Sequence, residues 1–414
     1  MTQAFKDMLY LFMCAAHGLS PEEKEDYDLE KIFTSAQKQG VWPLVLMSLR
    51  SLYKDRTVLI QGRPLNSYVQ SLRTTAFNNM QRHFTISNAI NQLAENDISC
   101  CVLKGNAVAG LYCNSECRIS GDTDIYIKGE SKIKEAIKIL EKHGFVFRKG
   151  HRHSNQLTAD HKTAGILELH RNILSLSFNR RWLENDMSQP EPYRMVISPF
   201  GDKIPTLGVT EGLIYIFFHI AKHFVSGGIG VRPMMDTLLY IRKYKAEINT
   251  DRFWEVIRDY NYEKFFEAIM SIGVKYLGFT EAELFPYSCD ETMPEKLLTD
   301  MEDGGLFGYE EDWRVGFFMA YYKQRFDKSE SEEYAEFIKD WKKDNPLLKR
   351  VFCSRSVIEQ NYPYVAKYKF LLPVGWVHRA IKFIIKSITG NYNKIDYTDD
   401  VRKRMDLIRD LDMF

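Results

Sequence analysis

The sequence predicts an α+β protein, a small mixed-sheet core flanked by N-terminal and C-terminal helical regions. Three observations predict it. Apolar residues recur at helical spacing through residues 1–94 and again from about 208. Between about 95 and 175 they gather instead into short runs bounded by glycine and polar turns. Within that stretch a helical pattern over 131–143 joins two such runs as a crossover would. We divide the 414 residues accordingly into an N-terminal helical region over 1–94, a core over 95–200 and a mainly helical C-terminal domain over 201–414.

Taken in order, Phe5, Met8, Leu9, Leu11 and Phe12 stripe a first helix, and Ile32, Ala36, Val41, Leu44, Leu46 and Met47 stripe further ones. Ser20-Pro21-Glu22-Glu23 reads as a helix opening, with Ser20 as cap and Pro21 in the first turn. A long helix is expected over 66–94, ended by Glu95-Asn96-Asp97. Residues 98–105 read as a buried strand, 106–112 as a helix, and 121–127 as a strand entered from a turn. The 131–143 helix, opened by Ser131 and stopped by Gly144, leads to strands beginning at Phe145 and over 153–157 and 165–170. Helices are expected over 212–224, 235–244 and 253–270. Gly227-Gly228-Ile229-Gly230 reads as a mobile loop after a helix, and 285–312, with Pro286, Pro294, Gly304, Gly305 and Gly308, as a long irregular connection. Further helices are expected over 312–323 and 330–344, before an apolar, proline-interrupted stretch over 362–376.

Composition narrows the function classes. Apolar residues at 45% and charged residues at 27% are globular values. The formal charge of +1 argues against a protein held to nucleic acid or membrane by bulk charge. The opening apolar stretch is interrupted by Lys6 and Asp7 and reads as a helix rather than a signal peptide. No window is long and apolar enough for a membrane span. The seven cysteines have irregular spacing, and the Cys113/Cys117 pair has no second pair nearby, so reduced thiols and a cytoplasmic setting are expected.

The segment Arg118-Ile119-Ser120-Gly121-Asp122-Thr123-Asp124-Ile125 carries the chemistry. Strand alternation puts Asp122 and Asp124 on one face and Thr123 and Ile125 on the other. D-x-D is a common string and by itself could mark only the start of a strand. Two carboxylates on one buried face nevertheless repel, and a hard divalent cation resolves the conflict; Mg²⁺ suits two carboxylates plus phosphate oxygens, with Mn²⁺ as an alternative. Glu168 sits among apolar neighbours in Ile166-Leu167-Glu168-Leu169-His170, where packing alone would not place an acid. Should the two strands be neighbours, Asp122, Asp124 and Glu168 form a cluster able to hold two metal ions. Lys104-Gly105-Asn106 follows a strand and opens a helix, a setting that suits phosphate.

These residues resemble the DNA polymerase β-like nucleotidyltransferase superfamily, and most closely its uncharacterised nucleotidyltransferases, with kinship to the AbiEii-type abortive-infection toxins. The match rests on Lys104-Gly105, Tyr112, Arg118 to Ile125 and Leu167-Glu168-Leu169-His170, with weaker support at His219, His223 and Asp236. The resemblance implies a nucleotidyltransferase core in which Gly105 takes the glycine position, Asp122 and Asp124 are paired catalytic metal ligands, and Glu168 is the third. It implies an NTP substrate, transfer of an NMP to an acceptor hydroxyl, and release of pyrophosphate. Asn106 stands where the pattern has glycine or serine, and the spacing from Gly105 to Asp122 is longer than the pattern's minimum.

Other residues are placed around this centre. Arg118 either meets a phosphate or makes a salt bridge that fixes the turn, and Ser120 lies between it and Asp122. His170 shares the face of Glu168 and lines the cleft or orients the carboxylate. His219 and His223, four apart on one helix, face the cleft, and Lys222 reaches toward phosphate. His151 and His153 are read as a polar wall in preference to a zinc site. The basic amphipathic stretch 376–388 is read as packing on its own protein in preference to lying on a membrane. A small-molecule acceptor is favoured over tRNA or protein. The competing readings are a toxin-like transferase acting on tRNA or protein, and an inactive binding module of the same fold.

Overall fold

Among the described residues seven strands form one mixed sheet. In the computed structural model, residues 1–24, 26–148, 156–173, 194–306, 364–365, 371–378 and 397–413 are described. The strands are β3 (Cys101–Val102), β4 (Asp122–Tyr126), β5 (Val146–Phe147), β6 (Gln156–His161), β7 (Gly165–His170), β8 (Arg194–Ile197) and β9 (Lys203–Thr206), in spatial order β5-β6-β7-β4-β3-β9-β8. A small hairpin, β1 (Leu59–Ile60) with β2 (Arg63–Pro64), stands apart within the otherwise helical N-terminal region. The expected α+β architecture is observed.

Alternation sorts the sheet into an oily face and a chemical face. Val102, Ile125, Leu167 and Leu169 point to one side, where they are buried with Ile86, Ile90 and Leu93 of α4 (Val69–Glu95) and Ile133, Ala136 and Leu140 of α6 (Glu130–Lys142). The other side carries Asp124, Tyr126 and Glu168, and its apolar cluster of Cys101, Leu103, Tyr126, Ile173 and Leu207 includes Tyr215 of α7 (Val209–Gly227). Burying that many aliphatic side chains, at about 25 cal/mol per Å² of apolar area, fixes which way the sheet faces. It thereby fixes which residues are left on the α7 side.

The N-terminal helices α1 (Gln3–His17), α2 (Leu29–Lys38) and α3 (Trp42–Leu52) pack on one another and are tied to the rest by buried polar bonds. Gln39 donates to Met301 O and accepts from the Val231 N–H, and Asn114 donates to Ala15 O. The later helices are α8 (Val231–Tyr244), α9 (Thr250–Asp259), α10 (Glu263–Tyr276), α11 (Met293–Gly304) and α12 (Tyr397–Asp410). Residues 1–310 with 408–413 form one compact unit and residues 311–407 with Phe414 a second. In the second unit Val365 packs with Tyr364, Leu372 and Trp376.

Several expectations are corrected. No helix opens at Ser20; α2 starts after Asp28, whose carboxylate accepts from the Lys31 N–H. The helix after Gly105 is one turn, α5 (Asn106–Ala109). The sheet has two strands more than the roughly five expected, because the β8–β9 hairpin closes one edge. The pattern expected as one helix over 253–270 is two helices, α9 and α10, broken where Asn261 adopts φ 56°. The stretch expected as an irregular connection contains α11, for Pro294 sits in its first turn, where its missing N–H costs nothing. The 131–143 helix opens one residue early, from Gly129, without a serine cap. His151 and His153, the helices expected over 312–323 and 330–344, and 379–388 lie outside the described residues. Among the described residues no helix is long and apolar enough to cross a membrane. The described cysteines are free thiols, most of them buried.

Candidate active site

β4 and β7 run parallel, with Asp122 opposite Ile166, Asp124 opposite Glu168 and Tyr126 opposite His170. Because strand side chains alternate, that register puts Asp124, Glu168 and His170 on the same face, side by side. Their ligand atoms all lie within 4.8 Å of one another. His170 Nε2 is 2.9 Å from Asp124 Oδ1 and 3.7 Å from Glu168 Oε2. Burial opposes a charge on His170, but its bonds to Asp124 and Glu168 and their negative charge prevail and raise its pKa to about 9.

Asp124 is 2% exposed at its side chain and Asp122 37%, so the first is the anchored acid and the second stands at the mouth. Burial works against ionising Asp124, yet Lys104, the His170 bond and the charge of His170 hold it well below the usual carboxylate range. Lys104 Nζ lies 3.1 Å from Asp124 Oδ2 and 3.4 Å from Asp122 Oδ2, bridging the two aspartates. On its other side it is 2.9 Å from His219 Nε2. Burial and the Lys104 charge push the His219 pKa well down, so this ring is neutral and accepts from the ammonium.

The segment 118–122 is held from three directions. Arg118 is 5% exposed and forms a two-pronged ion pair with Asp236 of α8, Nε to Oδ1 at 2.9 Å and Nη2 to Oδ2 at 2.6 Å. Tyr112 donates to the same Asp236 Oδ1 at 2.7 Å. Arg232, also on α8, donates to Ile119 O. From α4, Arg82 donates to Ser120 O, and Asn79 donates to Glu116 O and Arg118 O. Gly105 opposes this segment with φ +69°, and a Cβ there would stand 3.3 Å from Ser120 Oγ and 3.5 Å from Asp122 O. The glycine is required by its backbone conformation and by this close approach.

The residues singled out in the sequence thus fall into distinct places. Asp124, Glu168 and His170 converge, and Asp122 and Lys104 stand beside them. A cavity of about 60 Å³ is lined by Lys104, Gly105, Ser120, Asp122, His219 and Arg232, among others. Lys222 is half-buried; burial lowers its pKa while the Glu168 charge raises it, which places it in the field of this cluster. His223 is exposed, its ring centroid 4.4 Å from that of His219. Asn106 is buried, and the Ser120 hydroxyl donates to Asp122 O at 3.3 Å. The sequence reading did not place Arg82, Arg232 or Tyr215 at the site. Tyr215 lies in the field of Asp122, Asp124 and Glu168, although burial is the larger cause of its raised pKa.

The residues fit a divalent cation. Asp124 Oδ2 is buried and accepts no hydrogen bond from the described residues; Lys104 meets it as an ion pair at 3.1 Å. Three carboxylates, Asp122, Asp124 and Glu168, face the two cations Lys104 and His170. Oxygen donors of this kind are those hard cations take.

A mixed sheet with acids paired across parallel strands, next to a lysine and a glycine turn, is an architecture suited to phosphoryl chemistry. The chain belongs to the uncharacterised nucleotidyltransferase family, whose family model matches residues 25–278. The match takes in the whole seven-stranded sheet together with α2 to α10. Among curated proteins none matches the chain.

Proposed function

We propose that the protein is a divalent-metal-dependent nucleotidyltransferase of the DNA polymerase β-like type that moves an NMP from an NTP to a small-molecule hydroxyl. The observation that carries this reading is the register pair Asp124–Glu168 beside the Lys104-bridged Asp122. Asp122 and Asp124 would hold the metal shared with the triphosphate, and Glu168 with Asp124 a second one near the acceptor. When bound, Mg²⁺ or Mn²⁺ neutralises phosphate charge and acidifies the attacking hydroxyl.

The chain's own groups do the rest. His170 holds the Asp124 carboxylate in place through the 2.9 Å bond. Glu168, one strand away, is the carboxylate placed to take the acceptor's proton. Lys104, 2.9 Å from His219 Nε2, supplies a cation for the phosphates. The acceptor oxygen bonds to the α-phosphorus as the bond to the pyrophosphate oxygen breaks, and pyrophosphate departs as the anion.

Calorimetry with ATP, CTP, GTP and UTP tests this, each run with Mg²⁺, with EDTA, and against the double variant Asp122→Asn/Asp124→Asn. The expected result is metal-dependent binding of at least one nucleotide that the double variant loses. Binding of no nucleotide under any of these conditions would overturn it.

A further inference from the structure

A second, smaller cavity also borders the 118–122 segment, through Arg118 and Ser120. Its volume is about 20 Å³, and Asn79, Arg82, Asn106, Arg118, Ser120 and Phe200 are among its lining residues. Arg82 Nε, Asn106 Nδ2 and Arg118 Nη1 are all buried and have no hydrogen-bond partner among the described residues. Asn106 is 8% exposed and Arg118 5%. Three residues that each hold an orphaned donor line one small cavity, and a buried donor left without an acceptor costs stability.

Every orphan is donor-only. Guanidinium and amide N–H groups offer no lone pair, so a ligand of these groups must accept and need not donate. A water molecule has two protons to place, and those two cationic groups leave it few acceptors. Charge points the same way. Asp236 offsets Arg118; the bonds of Arg82 go to uncharged oxygens, Ser120 O and Thr123 Oγ1, and Asp122 and Asp124 act on it only through their field. Among the described residues no carboxylate lines the cavity; His83, which lines it, has its pKa lowered by burial, against the Asp202 contact.

We propose that this cavity is an anion site that takes a phosphoryl oxygen through Arg82, Asn106 and Arg118. Its volume admits one or two oxygen-sized groups and excludes a nucleoside, so the rest of the phosphate must lie outside it. Arg118 and Ser120 also line the larger cavity beside Lys104 and Asp122. A phosphate at this site is therefore either the distal end of a polyphosphate whose other end lies by Asp122, or a phosphate carried by a second substrate. The proposal does not rest on nucleotidyl transfer, because the site contains none of the metal-facing carboxylates.

The test is calorimetry of the full chain in EDTA, at constant ionic strength, with orthophosphate, pyrophosphate and tripolyphosphate. The wild-type chain should bind at least one of them. Arg82→Met and Asn106→Leu should each weaken that binding on the order of tenfold to a hundredfold, as loss of a charge-assisted or buried hydrogen bond does. Arg82→Lys, which keeps the charge, should lose less than Arg82→Met, and melting curves without ligand identify any variant that fails to fold. Asp122→Asn/Asp124→Asn should retain phosphate binding in EDTA even where it loses nucleotide binding, which separates failure of this proposal from failure of the transferase reading. ATP binding with Mg²⁺ that weakens in parallel in Arg82→Met identifies the donor's distal phosphate as the occupant; ATP binding that stays constant while orthophosphate binding falls identifies the second substrate. Absence of binding by all three anions, or equal binding by wild type and both neutral variants, would overturn the proposal.

Discussion

Lys104 Nζ lies between Asp122 and Asp124, 3.4 Å from one carboxylate and 3.1 Å from the other, where a bridging cation would be expected. A side-chain ammonium thus does in the metal-free chain part of what a divalent ion does when bound. The ammonium is not free to leave without consequence, since it also donates to His219 Nε2 at 2.9 Å.

Replacing it should have opposite effects on stability and on metal binding. Lys104→Met leaves two acids of one strand face without their bridging charge, and should lower the unfolding free energy in EDTA by about 2 kcal/mol. The same variant should bind Mg²⁺ or Mn²⁺ more tightly, for the ion no longer competes with the ammonium. Urea unfolding in EDTA and a metal titration followed by calorimetry check both; unchanged stability with weakened metal binding would contradict this account of Lys104.

The Arg118–Asp236 pair is the buried clamp of the 118–122 segment. Asp236→Ala leaves Arg118 buried with no counter-charge and should cost about 3–5 kcal/mol, read from urea denaturation. Tyr112→Phe removes one donor from the same carboxylate and should cost about 1 kcal/mol. A cost for Asp236→Ala below that of Tyr112→Phe would show that the clamp is not what holds the segment.

Gly105→Ala should destabilise by about 1–2 kcal/mol, because φ +69° is strained for an L side chain. The added Cβ would also press on Ser120 Oγ and Asp122 O, so metal affinity should fall together with stability. A conservative substitution with no effect on either would mean that the turn can relax.

His17 and His83 should each lower stability in mild acid, while His170, whose pKa is raised to about 9, works the other way as pH falls toward about 6.5. Burial lowers the pKa of His17 and of His83 in the folded chain, though a backbone bond to Leu277 and the Asp202 contact, respectively, act the other way. At these two positions the unfolded chain, whose histidines titrate near about 6.5, therefore binds more protons than the folded one below that pH. The contribution of neutral burial is complete above about pH 6.5 and is lost as pH falls toward the folded values. Between pH 7.5 and 5.5 the denaturation midpoint of His83→Gln should fall less, or rise more, than that of the wild type. A variant whose midpoint shifts with pH as the wild type's does would show that this ring is not buried in neutral form.

Much of the centre was legible because alternation along a strand is strict. Asp122 and Asp124 could be assigned to one face, and Glu168 stood out as an acid in an apolar run. The rest depended on contacts that no local pattern encodes. Arg118 meets Asp236 across 118 positions of sequence, and Arg82 reaches Ser120 across 38. The buried stripe of α4 passes through His83, Ile86, Ile90 and Leu93, and an arginine at its border reads like any solvated residue. The β8–β9 hairpin escaped notice because its two strands are four residues each and lie at a boundary drawn by composition. α11 was hidden by a proline that, in a first turn, is compatible with a helix.

The register of β7 against β4 gives the centre an even–odd arithmetic. Displacing β7 by a single residue would bring Leu167 or Leu169 opposite Asp124 and turn the acidic wall into an oily one, while the aliphatic cluster beneath received a glutamate. A single-residue insertion inside Gly165–His170 therefore undoes the acidic wall and the aliphatic core together, whereas a shift by two keeps each side chain on its own face.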